Sequence, residues 1–121
     1  MGNSSKVKKS DNKGESYKIV LIGDYSVGKS SIILKYMNGE PPTDKLLTFF
    51  DKTIKINNKA IKFQIWDTVG QERFHALSNI FYKNTDIIIL CYDITSKSSF
   101  QNLKDYWYNE VKNSTKNNPS K

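Results

Sequence analysis

Long apolar runs, cysteine and histidine are all scarce in this chain, and each scarcity narrows its class. The longest apolar stretch, "DIIILCY", is far shorter than the roughly 20 residues that a membrane-spanning helix requires, so none is expected. The opening "MGNSSKVKKS" lacks the apolar core of a secretory signal, which points to a cytoplasmic chain. A single cysteine, Cys91, agrees with a reducing compartment; lying in an apolar run, it reads as a small core residue rather than a nucleophile or metal ligand. The single histidine, His75, reads as a surface or partner-facing residue rather than an acid or base. No internal repeat is visible, and 121 residues suffice for one domain of ordinary size.

Positive charge is in surplus. With 19 Lys and Arg against 12 Asp and Glu, the net charge of +7 raises the question of nucleic acid, whose phosphates attract such surfaces. The lysines, however, are dispersed as on a solvated surface, and no nucleic-acid partner is expected. Only Lys6, Lys8 and Lys9 cluster, and an anionic membrane surface suits that cluster better.

The pattern along the chain divides it into a flexible basic arm (1–16), an α/β unit (17–112) and a polar tail (113–121). "YKIVLIG" is a nearly unbroken apolar run suited to a buried parallel strand. A helix is expected over about 29–38, with Ile32, Ile33, Tyr36 and Met37 at helical spacing and Asn38-Gly39 before Pro41 and Pro42 as its stop. Residues 40–50 read as a loop. Ile54 and Ile56, then Ile61, Phe63 and Ile65, alternate with polar residues around Asn57-Asn58, an antiparallel hairpin at a sheet edge. A short helix is expected around 72–82, then a buried strand "DIIILCYDIT". "SSFQ" has the form of a capping box with Ser98 as the cap, opening a helix with Phe100, Leu103, Trp107 and Val111 on one face. Tyr106 and Tyr108 flank that face with a core role expected. The sum is an α/β fold with a mostly parallel sheet, whose ligands gather at the carboxyl ends of the strands.

Two segments meet there. In "GDYSVGKS", Gly23, Gly28, Lys29 and Ser30 match the phosphate-loop pattern G-x-x-x-x-G-K-[ST]. Its glycines admit a phosphate chain to the backbone amides, Lys29 pairs with terminal phosphates, and Ser30 ligates magnesium. Four fixed positions recur by chance in well under about one chain in a hundred of this length. In "WDTVGQERF", Asp67 ends an apolar strand in reach of magnesium, Gly70 offers an unhindered amide to a terminal phosphate, and Gln71 is placed to orient an attacking water.

"GDYSVGKSS", "IWDTVGQERF", "YDIT" and "SF" resemble the Rab branch of the Ras-like small GTPases, over about residues 17–112. The resemblance implies the P-loop GTPase fold and a switch that binds GTP or GDP with Mg2+, hydrolyses GTP slowly, and meets effector, exchange-factor and activator proteins in vesicle traffic. By motif position it makes Asp24, Tyr25, Ser26, Val27, Gly28, Lys29, Ser30, Ser31, Thr48 and Gly70 nucleotide contacts. Ser30, Thr48 and Asp67 become metal-linked residues, and Gln71 the catalytic water-orienting one. Thr48 is chosen by its distance from Lys29; counting back from Trp66 lands near Asp44 instead, so "TFFDKT" reads as a shortened first switch. Phe49, Trp66 and Phe74 match positions at the effector face and suit core packing equally.

The departures from the family pattern are informative. Pro41 replaces the aromatic that stacks on guanine, and Val69 a common Ala. Tyr25 puts a bulky ring near the terminal phosphate, from which slow and poorly stimulated hydrolysis is expected. The N-K-x-D and S-A-K motifs that read guanine are missing, so the resemblance implies a chain lacking the last two strands and two helices. "IIILCY" would then form an exposed apolar edge. Rab proteins carry C-terminal prenylated cysteines; here Gly2 in "MGNSSK" is the lipidation candidate, with Lys6 in place of the preferred Ser or Thr. Myristoylation there plus the nearby lysines would hold the protein on the cytosolic face of endomembranes. Two other readings remain: an interaction fragment without turnover, and a different P-loop protein such as a kinase, against which "DTVGQERF" speaks.

Overall fold

The computed structural model describes residues 15–44, 49–68, 77 and 79–116. Strand β1 (Glu15–Gly23) lies in a four-stranded sheet of order β2-β3-β1-β4, with β2 (Phe49–Ile56), β3 (Lys59–Asp67) and β4 (Ile87–Cys91). β1 runs parallel to β3 and to β4, while β2 is antiparallel to β3. This is the mostly parallel α/β sheet with an antiparallel edge hairpin that the sequence implied.

β1 is apolar on both sides because helices cover both of its faces. Val20 and Ile22 face one core, with Trp66, Phe81, Leu103 and Trp107. Leu21 faces the other, with Ile33, Met37, Phe50, Ile65 and Cys91. The second core is roofed by α1 (Lys29–Met37), in which Ile33 and Met37 are buried. Ile32 and Tyr36, expected on the same face, are instead 54% and 46% exposed. They flank the buried stripe and line an open apolar groove with Ile19, Phe63 and Ile89 of the sheet. α1 stops at Asn38, whose left-handed backbone (φ 57°) lets its amide reach the carbonyls of Leu34 and Lys35.

The hairpin turns on Asn57 (φ 51°) and Asn58 (φ 65°), both left-handed as a two-residue turn between twisted strands demands. β2 begins earlier than expected. Phe49 and Phe50 belong to the strand, because Phe50 is buried and the Phe49 ring packs on Trp66 with centroids 4.9 Å apart. Trp66 and Phe49 therefore serve packing, with Trp66 only 5% exposed. Of the short helix expected around 72–82, a 3-10 turn (Asn79–Phe81) falls within the described residues.

The first face is covered by a composite helix: α2 (Lys97–Asn102), a π turn (Leu103–Trp107) and α3 (Tyr108–Lys116). Its cap is Ser96 rather than Ser98: the Ser96 side chain accepts from the Ser99 amide. Asp93 sets this start two residues early, since its carbonyl accepts from the Ser96 amide at 2.8 Å and its carboxylate from the Thr95 amide at 2.9 Å. The π turn then alters the apolar face. Leu103 and Trp107 are buried, but Phe100 stays 43% exposed and packs on Tyr92. Tyr106 is half-buried and Tyr108 exposed, so the core role falls to Trp107.

Candidate functional site

The parallel registers gather three strand ends. Leu21 pairs with Asp67 and Gly23 with Cys91, so the loop that follows β1 emerges beside the ends of β3 and β4. The approach to β4 is so close that a Cβ on Gly23 would stand 2.2 Å from the Cys91 carbonyl oxygen. Gly28 serves a different need. It is the N-cap of α1 with φ 107°, a conformation that L side chains rarely adopt.

No side chain caps α1, and its first turn contains no acidic residue. The first-turn amides and the positive end of the helix dipole are thus left for an external anion. Lys29 is buried at this turn, 3% exposed, and its ammonium donates to the carbonyls of Gly23 (3.1 Å) and Asp24 (2.7 Å). Loop and lysine form a closed ring. Val27 packs against the core under α1, whereas Tyr25 and Ser26 lie exposed, Ser26 with a left-handed φ of 67°. Ser31 sits on the exposed side of α1.

The two motif segments touch at Ser30, whose hydroxyl donates to an Asp67 carboxylate oxygen at 2.6 Å. Asp67 is 6% exposed at the end of β3. Its neighbour Thr68, fully buried, donates its hydroxyl to the Leu21 carbonyl at 2.9 Å and so ties the end of β3 to β1. A hydroxyl and a carboxylate side by side are the hard oxygen donors that magnesium selects, so the residues present fit that ion. Burial pushes the Cys91 thiol up from its ordinary value; Lys29 acts the opposite way and Asp67 adds to the rise.

Asp24 departs from the role its motif position suggests. Its carboxylate turns from the loop toward the composite helix, accepting from Trp107 Nε1 at 2.8 Å and Asn102 Nδ2 at 2.6 Å. Asn102 carries no motif signal, Trp107 was legible only as an apolar-face residue, and Thr68 stood in the second motif segment without a role; their burial and contacts reveal what they do. Thr48, Gly70, Gln71, Val69, Phe74, His75 and Gly2 lie outside the described residues.

A glycine-bearing strand-to-helix loop, an enclosed lysine and a serine–aspartate pair define an α/β protein with a P-loop phosphate site. The Ras family model matches residues 18–121, and the chain belongs to that family. It is 43% identical over 101 residues to Ras-related protein Rab-21 of Homo sapiens, covering 80% of this chain and 44% of that protein. It is 39% identical over 104 residues to Ras-related protein Rab5A of Oryza sativa subsp. japonica, covering 83% of this chain and 51% of that protein. Against GTP-binding protein RHO4 of Saccharomyces cerevisiae it is 38% identical over 99 residues, covering 78% of this chain and 34% of that protein. The chain thus spans about half or less of the length of these curated relatives.

Proposed function

We propose that the chain supplies the phosphate and magnesium half of a Rab-like GTP-binding switch with slow GTP hydrolysis. The Ser30–Asp67 contact carries this reading, because it joins the two motif segments at the foot of an uncapped helix. On arrival of a nucleotide, the Lys29 ammonium exchanges the Gly23 and Asp24 carbonyls for phosphate oxygens. The first-turn amides of α1 hold the phosphate chain from the other side. Ser30 and Asp67 would hold Mg2+, with Thr48 completing the set from the first switch; the ion supplies charge neutralisation on the phosphates. Gly70 would offer its amide to the terminal phosphate and Gln71 would orient the water.

Tyr25 is the side chain that makes hydrolysis slow. It lies in the phosphate loop, 46% exposed, and its motif position sets a bulky ring near the terminal phosphate, where it would crowd a finger arginine or an ordered water. Single-turnover hydrolysis by Tyr25→Gly is expected to run faster than in the parent chain, and an unchanged rate overturns the assignment.

The decisive experiment is a titration of GDP and of ADP with fluorescent analogues, with and without magnesium. GDP-selective, magnesium-strengthened binding is the expected result. Equal binding of both reduces the site to a generic phosphate cradle, and no binding by the folded chain leaves an interaction fragment.

Placement on the cytosolic face of endomembranes, through a myristoylated Gly2 and Lys6, Lys8 and Lys9, belongs to the same reading, as do effector, exchange-factor and activator partners in vesicle traffic. Mass spectrometry of the N-terminal peptide from a eukaryotic host is expected to find the added acyl chain, and an unmodified Gly2 removes that anchor.

A further inference from the structure

We infer that Asp24 is a positioning residue: with Trp107 and Asn102 it forms a strut that ties the phosphate loop to the composite helix and sets how long a nucleotide stays bound. The inference deepens the reading above and rests on it for its second half. Asp24 makes contacts in two directions. Its carbonyl accepts from the Lys29 ammonium at 2.7 Å, inside the loop. Its carboxylate accepts from Trp107 Nε1 at 2.8 Å and from Asn102 Nδ2 at 2.6 Å, across 83 and 78 residues of chain.

The π turn makes this possible. In a regular α-helix, residues five apart point about 140° away from each other, too far to share one carboxylate. The π turn bonds the Tyr108 amide to the Leu103 carbonyl, an i→i+5 closure that brings such residues into line. Asn102 precedes the turn and Trp107 ends it, and both donors consequently converge on Asp24.

Trp107 is fully buried, so its indole N–H needs an acceptor, and a charged acceptor makes a strong one. Moving the loop away from the helix breaks two charge-assisted hydrogen bonds and strands the indole N–H. The loop therefore holds its left-handed turns at Ser26 and Gly28 before any ligand arrives. In the other direction, a partner that shifts the composite helix displaces the Asp24 backbone, and with it the loop whose amides face the phosphates, and so loosens the phosphate grip.

The test uses Asp24→Ala, Asp24→Asn, and Asp24→Asn combined with Asn102→Asp. The last exchanges donor and acceptor across the contact and restores both hydrogen bonds. Amide hydrogen exchange over residues 24–30, without nucleotide, is expected to speed up by about 10-fold or more in Asp24→Ala and to return toward the parent rate in the exchanged pair. Release of fluorescent GDP is expected to follow the same order, rising about 10- to 100-fold in Asp24→Ala. Unchanged loop exchange in a folded Asp24→Ala, or no restoration in the exchanged pair, overturns the strut. A parent that retains no GDP while loop exchange follows the expected order overturns the nucleotide reading and leaves the strut standing. Loop exchange that follows the order while GDP release stays constant removes the strut's control of nucleotide lifetime.

Discussion

Gly23 and Gly28 occupy the two glycine positions of one motif for unlike reasons. At Gly23 the obstacle is backbone, the Cys91 carbonyl, which cannot swing aside as a side chain would. Gly23→Ala is expected to force β1 from β4 and cost about 2–4 kcal/mol in urea unfolding. At Gly28 a Cβ meets nothing within 4 Å, and only φ 107° resists it. Gly28→Ala is expected to cost about 1–2 kcal/mol in the same experiment. The motif was legible as a pattern, but the reason for its first glycine was not, because the contact is made on a strand far downstream. Asp24 illustrates the same limit: its place in the loop was plain, while its orientation depends on a helix that no spacing rule connects to it. Cys91 offers a further check at this scale. A thiol raised by burial carries less thiolate at a given pH, so alkylation by iodoacetamide at neutral pH is expected to lag until denaturant exposes it. Equal rates in folded and unfolded protein contradict that environment.

At the scale of elements, the start of the composite helix shows how local chemistry competes with a sequence pattern. "SSFQ" reads as a capping box, yet the Asp93 turn places Ser96 at the cap first. Ser96→Ala is expected to lower stability by about 1 kcal/mol and Ser98→Ala by a few tenths at most, measured by urea unfolding. Hydrogen bonds from the Thr95 hydroxyl and then its amide hold the Asp93 carboxyl below its ordinary value. A lowered folded value means that the turn's contribution is complete above the ordinary carboxylate range and fades as pH falls through the lowered one. The difference in melting temperature between the parent and Asp93→Ala is thus expected at neutral pH and lost as pH falls through the lowered value. The hairpin's turn, by contrast, was legible, although β2 starts at Phe49, inside a stretch read as loop. Two consecutive asparagines between alternating strands leave few alternatives. The π turn was not, since no residue type announces it.

Across the whole molecule, the strand types and the parallel sheet follow from the apolar runs, but the order β2-β3-β1-β4 is settled by packing on both faces of β1. The two edges differ in composition. β2 carries Asp51, Lys52 and Lys55, charges that oppose pairing with another chain. β4 carries none, and Ile87 and Ile89 are exposed on its face at 43% and 44%. Ile89 continues an apolar groove with Ile19, Leu21, Ile32, Tyr36 and Phe63, while among the described residues β4 has a strand partner on one side only. Concentration-dependent self-association is expected by light scattering, and Ile89→Lys is expected to reduce it by placing a charge at the edge. Scattering that is equal in both proteins assigns the association to another surface.

The contact between Trp107 and Asp24 also endows the protein with an intrinsic optical gauge. The chain contains two tryptophans; Trp66 lies beneath the Lys18 ammonium, 4.5 Å from its ring centroid, and Trp107 is sealed from water with a carboxylate on its nitrogen. Subtracting the emission of Trp107→Phe from that of the parent isolates one fluorophore wired to the loop. Its wavelength and lifetime then register loop movement in unlabelled protein, in real time.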